Sequence, residues 1–194
     1  MNIREFCSLR AGTSFPRKVI ASDHGDYWVL ESFCINHNGD INFDNLVHVS
    51  SADMTRPSRP LSKNDILIRA KGSHHQAILF DTDNKKYHVY PTSYFLVLTV
   101  NQPDKVLPNF LTWLLNQPTN QSIISSFAGG ATVKHLTKAR FSLLELDIPD
   151  LYKQNQILRL DKFLKKEQRL LSEISELRTE YYSTLTSKYL GGLV

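Results

Sequence analysis

The sequence predicts an α+β protein: a mixed, β-rich globular domain with short helices over residues 1–149, followed by a long coiled-coil-type helix over 150–194. Three observations carry this expectation. Before Pro149, short apolar or alternating runs recur between turn-forming residues. From 151 to 188 neither Gly nor Pro occurs, and good helix formers dominate. Within that second region apolar residues repeat at a spacing of seven, the period of a coiled coil.

Taken in order, strands are expected over 27–30, 46–49, 66–69, 77–80, 87–90 and 94–100. Turn signals separate them at Asn38-Gly39-Asp40, at the proline-containing stretch 56–60, and at 81–84. A helix is expected over 108–115, with Phe110, Leu111, Leu114 and Leu115 on its apolar side, and a second over 120–126. A glycine-containing loop and a short apolar strand at 143–146 follow. Asp150 is the expected N-cap of the long helix, and Gly191 lies just past its end.

The spacing on that helix decides its role. Ile157, Leu164 and Leu171 lie seven apart, and Leu160 and Ile174 extend the same seam. A second row, Phe163, Leu170 and Leu177, runs beside it, continued by Tyr181 and Leu185 and interrupted at Glu167 and Arg178. At ~1.5 Å per residue the helix spans about 57 Å. The alternative, a helix folded back on its own domain, would leave part of so long a stripe uncovered. Pairing with another helix, from a second chain, is the favoured reading.

An apolar fraction of 41% and a charged fraction of 22% are those of a soluble globular protein. No apolar run approaches the ~20 residues that span a bilayer. Cys7 and Cys34 form no C-x-x-C pair, and a reduced cytoplasmic setting is expected. The net charge of +4 is unevenly spread. Residues 56–75 carry Arg56, Arg59, Lys63, Arg69 and Lys71 against Asp65 alone, and 134–140 add Lys134, Lys138 and Arg140 with no acid. Residues 19–55, by contrast, hold acids and no Lys or Arg. Such local basicity is what a nucleic-acid surface requires.

Catalytic motifs are sparse. There is no G-x-x-x-x-G-K-[ST] phosphate loop, no Asn/Asp-Pro-Pro-aromatic methyltransferase motif and no G-x-S-x-G elbow. A metal-dependent nuclease could be assembled from Asp65 with Asp83 and Lys85, but 81–86 reads better as a hairpin turn. His74, His75, His88 and His135 form no metal-ligand pattern, because adjacent histidines in an extended chain face opposite ways. No cofactor or metal is expected. What remains is the stretch "LSKNDILIRAKGSHH" over 61–75, where an apolar run ends in Arg69, Lys71, Gly72, Ser73 and His74. Lys and Arg supply charge, Gly allows close backbone approach, and Ser and His offer donors for phosphates or base edges. A solvated basic loop turned by Gly72 fits the same residues.

Four segments, in order, resemble the specificity subunit of type I restriction–modification systems. "SLRAGTSFPR" (8–17) is similar to that family's opening glycine-containing turn, and "LSKNDILIRAKGS" (61–73) to its L-x-x-G-D-[IV]-L-[IV]-x-x-x-G signature. "FLTWLLNQPTNQSIISSFAGGATVKHLT" (110–137) is similar to the two helices and Gly-Thr loop that follow. "LELDIPDLYKQNQILRLDKFL" (144–164) resembles the strand, the I-P-x-P turn and the Q-x-x-I that begin the long helix. Asn64 stands where the family often has Gly, and Asp150 replaces the second Pro.

The resemblance implies a target recognition domain over 1–149 and a spacer helix over 150–194 that docks methyltransferase subunits. It implies a non-catalytic, sequence-specific DNA-binding subunit that directs an adenine methyltransferase, and through it a translocating nuclease, to double-stranded DNA. A full subunit has two recognition domains and two helices packed antiparallel, so this chain resembles half of one. Two copies, or this chain and another half-subunit, would then read a bipartite site. The expected DNA contacts are Arg56, Arg59, Arg69, Lys71, Gly72, Ser73, His74, Lys134 and His135. The expected helix seam is Ile157, Leu160, Leu164, Leu171, Ile174 and Leu177. Two other readings stay open: a protein-binding module that inhibits or assembles a methyltransferase without reading DNA, and the small nuclease.

Overall fold

The computed structural model describes residues 1–15, 25–36, 38–50, 59–72, 74–82, 88–130 and 134–191. Two compact units are present, Met1–Gln154 and Asn155–Val194. The first holds a four-stranded antiparallel sheet of β1 (Cys7–Ala11), β4 (Asp65–Arg69), β5 (Ala77–Phe80) and β7 (Phe95–Val100), ordered β1-β7-β4-β5. A three-stranded sheet joins β3 (Val47–Val49), β2 (Tyr27–Leu30) and β6 (Val89–Pro91), with β2 antiparallel to β3 and parallel to β6.

Strand β4 shows why 66–68 is an unbroken apolar run. Its register sets Ile66 against Leu98, Leu67 against Val97 and Ile68 against Leu96. Ile66, Ile68, Leu96 and Leu98 pack on one side with Leu111, Leu115, Ile124 and Phe141 of the helices. Leu67, Phe95 and Val97 pack on the other with Leu30, Cys34, Ile78 and Phe80. A strand covered on both faces needs apolar residues at every position. Each such side chain contributes roughly 1.5–3 kcal/mol by leaving water.

The helices of this unit are α1 (Pro108–Leu115), α2 (Pro118–Phe127) and α3 (Lys138–Phe141). Both α1 and α2 start on proline, which suits the first helical position because its missing N–H has no partner there. In α3 the Thr137 hydroxyl accepts a hydrogen bond from the Arg140 N–H at 3.3 Å.

Several local expectations are corrected. Residues 8–11, read as part of a turn, belong to strand β1; apolar Cys7, Leu9 and Ala11 alternate in sequence with Ser8 and Arg10 on this edge strand, with Cys7 buried, Leu9 half-buried and Ala11 exposed. Residues 143–146 are not a strand. They follow α3 with only a single bridge from Glu145 to Asn2, and Leu143 is exposed while Leu144 and Leu146 are buried. Strand β6 begins at Val89; Tyr87 and the 83–86 part of the expected turn lie outside the described residues.

Asn64 has a left-handed backbone, with φ of 69°. Asn and Gly are the residues that adopt this conformation most readily. The departure noted at this position therefore preserves the turn.

Helix α4 (Leu151–Leu190) is 40 residues long, about 60 Å at ~1.5 Å per residue. The Asp150 carboxylate accepts from the Lys153 N–H at 2.8 Å, closing its N-terminus. Gln154 is fully buried in the first turn. It accepts from the Leu107 N–H at 2.9 Å and donates to the carbonyls of Lys105 and Pro149 at 2.7 and 2.8 Å. Further along, Leu160, Phe163, Leu164, Leu170, Leu171, Ile174 and Leu177 are all exposed, between 47% and 70%. Ion pairs on the same helix, Lys165–Asp161 and Arg169–Glu173, run at i,i+4 spacing.

Candidate nucleic-acid interface

Just beyond β4, the chain of Ala70–Gly72 is laced to the segment 134–136. The Gly72 N–H donates to the Lys134 carbonyl at 3.0 Å, and the Leu136 N–H donates to the Ala70 carbonyl at 2.7 Å. Lys71 and His135 face each other as an antiparallel bridge, and His135 exchanges two backbone hydrogen bonds with Gly129. Gly72 has φ of 102°, and a Cβ there would meet only the Tyr94 hydroxyl, at 3.8 Å. Glycine is used for its backbone at this point rather than for lack of space.

Four of the expected contact residues, Lys71, Gly72, Lys134 and His135, are thereby gathered at one junction. Lys134 and His135 are exposed, and Lys71 is half-buried. Lys71 also acts on Glu31: burial pushes the Glu31 carboxyl up, and the Lys71 charge pulls it back. Lys71 is therefore a cation with an acid in its surroundings, while Lys134 stands in the acid-free run 134–140.

Arg69 and His74 lie beside this junction. Together with Gln76, Asn116 and Gln121 they line a cleft of about 470 Å³. The Arg69 guanidinium reaches the Ile35 carbonyl at 3.4 Å, and its buried Nε has no partner among the described residues. His74 is exposed, whereas His75 is fully buried with Nδ1 2.8 Å from the Arg69 carbonyl oxygen. The three amide residues of the cleft escaped sequence reading because a lone Gln or Asn carries no periodic or spacing signal.

Arg59 is placed elsewhere. It lies at the other end of β4, roughly 13 Å away at ~3.3 Å per residue. There its Nη2 sits 3.6 Å from the Asp65 carboxylate and 3.3 Å from the Thr99 hydroxyl. Asp65 is fully buried and also accepts from Arg10 Nη2 at 3.2 Å and the Ser62 N–H at 3.0 Å. Burial lowers the Arg10 pKa, and the Asp65 charge opposes that change. An Asp65 so occupied is a structural counter-ion, which removes the first carboxylate of the nuclease reading. Asp83 and Lys85 of that reading, and Arg56 and Ser73 of the expected contacts, lie outside the described residues. Among the described residues no three His, Cys, Asp or Glu side chains gather as a metal site. None of the described helices is long and apolar enough to cross a membrane.

The two sheets, the short helices and the long C-terminal helix make a fold that comparison with known proteins places. Residues 1–176 match the type I restriction modification DNA specificity domain, and the chain belongs to that family. Its fold is similar to that of the type I restriction–modification S subunit from M. genitalium (18% identity, TM-score 0.55, covering 93% of this chain and 43% of that one). A structure described for the complex assembly and conformational transition of the type I R-M system is also similar (14% identity, TM-score 0.67, 93% and 41%). So is the HsdS subunit from Thermoanaerobacter tengcongensis (13% identity, TM-score 0.59, 89% and 38%). The chain spans about two fifths of the length of these structures. No curated protein matches it. Specificity subunits are in general non-catalytic.

Proposed function

We propose that this chain is a non-catalytic, sequence-specific DNA-binding half-subunit. In this reading the unit before α4, over 1–149, reads double-stranded DNA, and 150–194 serves as spacer and docking helix. It directs an adenine methyltransferase, and through it a translocating nuclease, to a bipartite site in cytoplasmic DNA. The observation that carries the reading is the junction of Lys71–Gly72 with Lys134–His135. Two basic segments, distant in sequence, are held side by side by backbone hydrogen bonds, which supports a shared role for them in phosphate contact. Phosphate contacts of this kind supply affinity and register, and neighbouring polar groups supply sequence preference.

The exposed α4 stripe supports the second half of the reading. A second copy related by a two-fold axis would bury both stripes in a closed, isologous contact. Half-sites one helical turn apart, about 34–36 Å, fit within the ~60 Å length of α4. The test is selection of bound duplexes from a randomised DNA library by the full chain with methyltransferase subunits. Recovery of one bipartite motif supports the reading. Stable assembly with those subunits but no selected motif favours the protein-binding module instead.

A further inference from the structure

We propose that Gln76 is a base-reading residue, presenting its side-chain amide to the edge of an adenine from the cleft beside the Lys71–His135 junction. The inference rests on the DNA-binding reading above and adds to it the group that would discriminate one base pair. The three amides of the cleft differ in what they are free to do. Asn116 is occupied at both ends: its Nδ2 donates to the Ala77 carbonyl and its Oδ1 accepts from the Ala77 N–H, each at 2.8 Å. Gln121 Nε2 donates to the carbonyls of His75 and Leu115 at 3.0 and 2.9 Å, using both of its N–H groups. These two are positioning residues that hold the end of β5 and the buried His75 in place.

Gln76 forms no side-chain hydrogen bond among the described residues, yet its backbone is pinned, since its carbonyl accepts from the Arg69 N–H at 3.2 Å. Its amide lies close to Gly39, whose φ is 90° and where a Cβ would come within 2.9 Å of Gln76 Nε2. An amide on a pinned backbone, with its donor pair and its acceptor unused among the described residues, is suited to bidentate pairing. Adenine offers the matching pattern, N7 as acceptor and the N6 amino group as donor. Among the described residues that line the cleft there is no acid, and Arg69 and His74 complete its wall.

The test is selection from a randomised duplex library with the full chain carrying Gln76→Ala or Gln76→Glu, beside the wild type. For Gln76→Ala, preference for adenine at one position of the motif should fall by roughly 5- to 150-fold. The other positions and the salt dependence should stay unchanged, because no phosphate contact is lost. Gln76→Glu retains the shape but replaces the donor, so preference at that position should move toward cytosine, whose N4 amino group donates. Both variants recovering the wild-type motif unchanged at every position would overturn the proposal. Should the alanine variant fail to bind at all, the Glu variant decides: a shifted position supports the proposal and an unshifted motif refutes it. A wild type that selects no motif refutes the DNA-binding reading itself, and this inference with it.

Discussion

The backbone N–H of Gly72 donates to the carbonyl of Lys134 at 3.0 Å, joining the end of β4 to the loop before α3. Backbone bonds of this kind fix where the chain passes without using the lysine ammonium groups. In the proposed reading the junction is the base from which Lys71 and Lys134 reach phosphate.

From this placement, Lys71→Ala and Lys134→Ala should each weaken binding to every duplex and lower the magnitude of the logarithmic salt slope by about 0.9. Arg59→Ala should leave the slope unchanged, because Arg59 is engaged at Asp65 on the other end of β4. Fluorescence anisotropy across a salt series distinguishes these cases. An Arg59 variant that lowers the slope as much as Lys71→Ala would show that Arg59 also reaches DNA.

Asp65 is buried between Arg10 and Arg59, so Asp65→Ala leaves Arg10 without its counter-ion in a half-buried site. Breaking a buried pair in this way costs about 3–5 kcal/mol. Urea unfolding should show a correspondingly lower midpoint with an unchanged slope. A variant within about 0.5 kcal/mol of wild type would contradict the structural role.

The Leu171 side chain is 59% exposed in the stripe of α4. Leu171→Glu places a charge in the seam and should reduce self-association by sedimentation, with the far-UV helix signal retained. A fully dimeric Leu171→Glu protein would refute pairing through this face.

Burial pushes the Cys7 thiol up to about 12 from an ordinary value near 9.0. Above about pH 9 the unfolded thiol ionises while the folded one stays protonated, so the proton is held more tightly by the native state. Stability should therefore fall as pH rises from about 9 towards 12. Cys34 shifts in the same direction, again through burial. Comparing Cys7→Ala with wild type isolates the Cys7 contribution: the wild type should lose stability more steeply between pH 8 and 10.5. Parallel curves would contradict it.

Much of the fold is legible in the residues, for identifiable reasons. β4 announced itself because both its faces are covered, and α1 because Pro108 opens an amphipathic turn. α4 was readable from its period and from Asp150. β1 was missed although Cys7, Leu9 and Ala11 alternate, because the glycine that follows drew the segment into a turn. α3 is four residues long, too short for any period to show.

The site was only partly legible. Charge clustering pointed to 69–74 and 134–135, but sequence gives no sign that backbone bonds would join them, since that pairing is set by where β4 ends. The same limit separated Arg59 from the cluster: proximity in sequence to Asp65 became an ion pair across a turn. Gln154 belongs to the Q-x-x-I segment that resembled the family. Its structural meaning, three hydrogen bonds from a buried side chain at the start of α4, came only with the fold.

The most direct measurement is methylome sequencing of cells expressing this chain with the modification subunits of its system. A two-part DNA reader predicts adenine methylation confined to one bipartite motif, lost when Lys71 and Lys134 are both replaced by alanine. Methylation that ignores the presence of this chain, in cells where the assembled complex is recovered, would contradict the account.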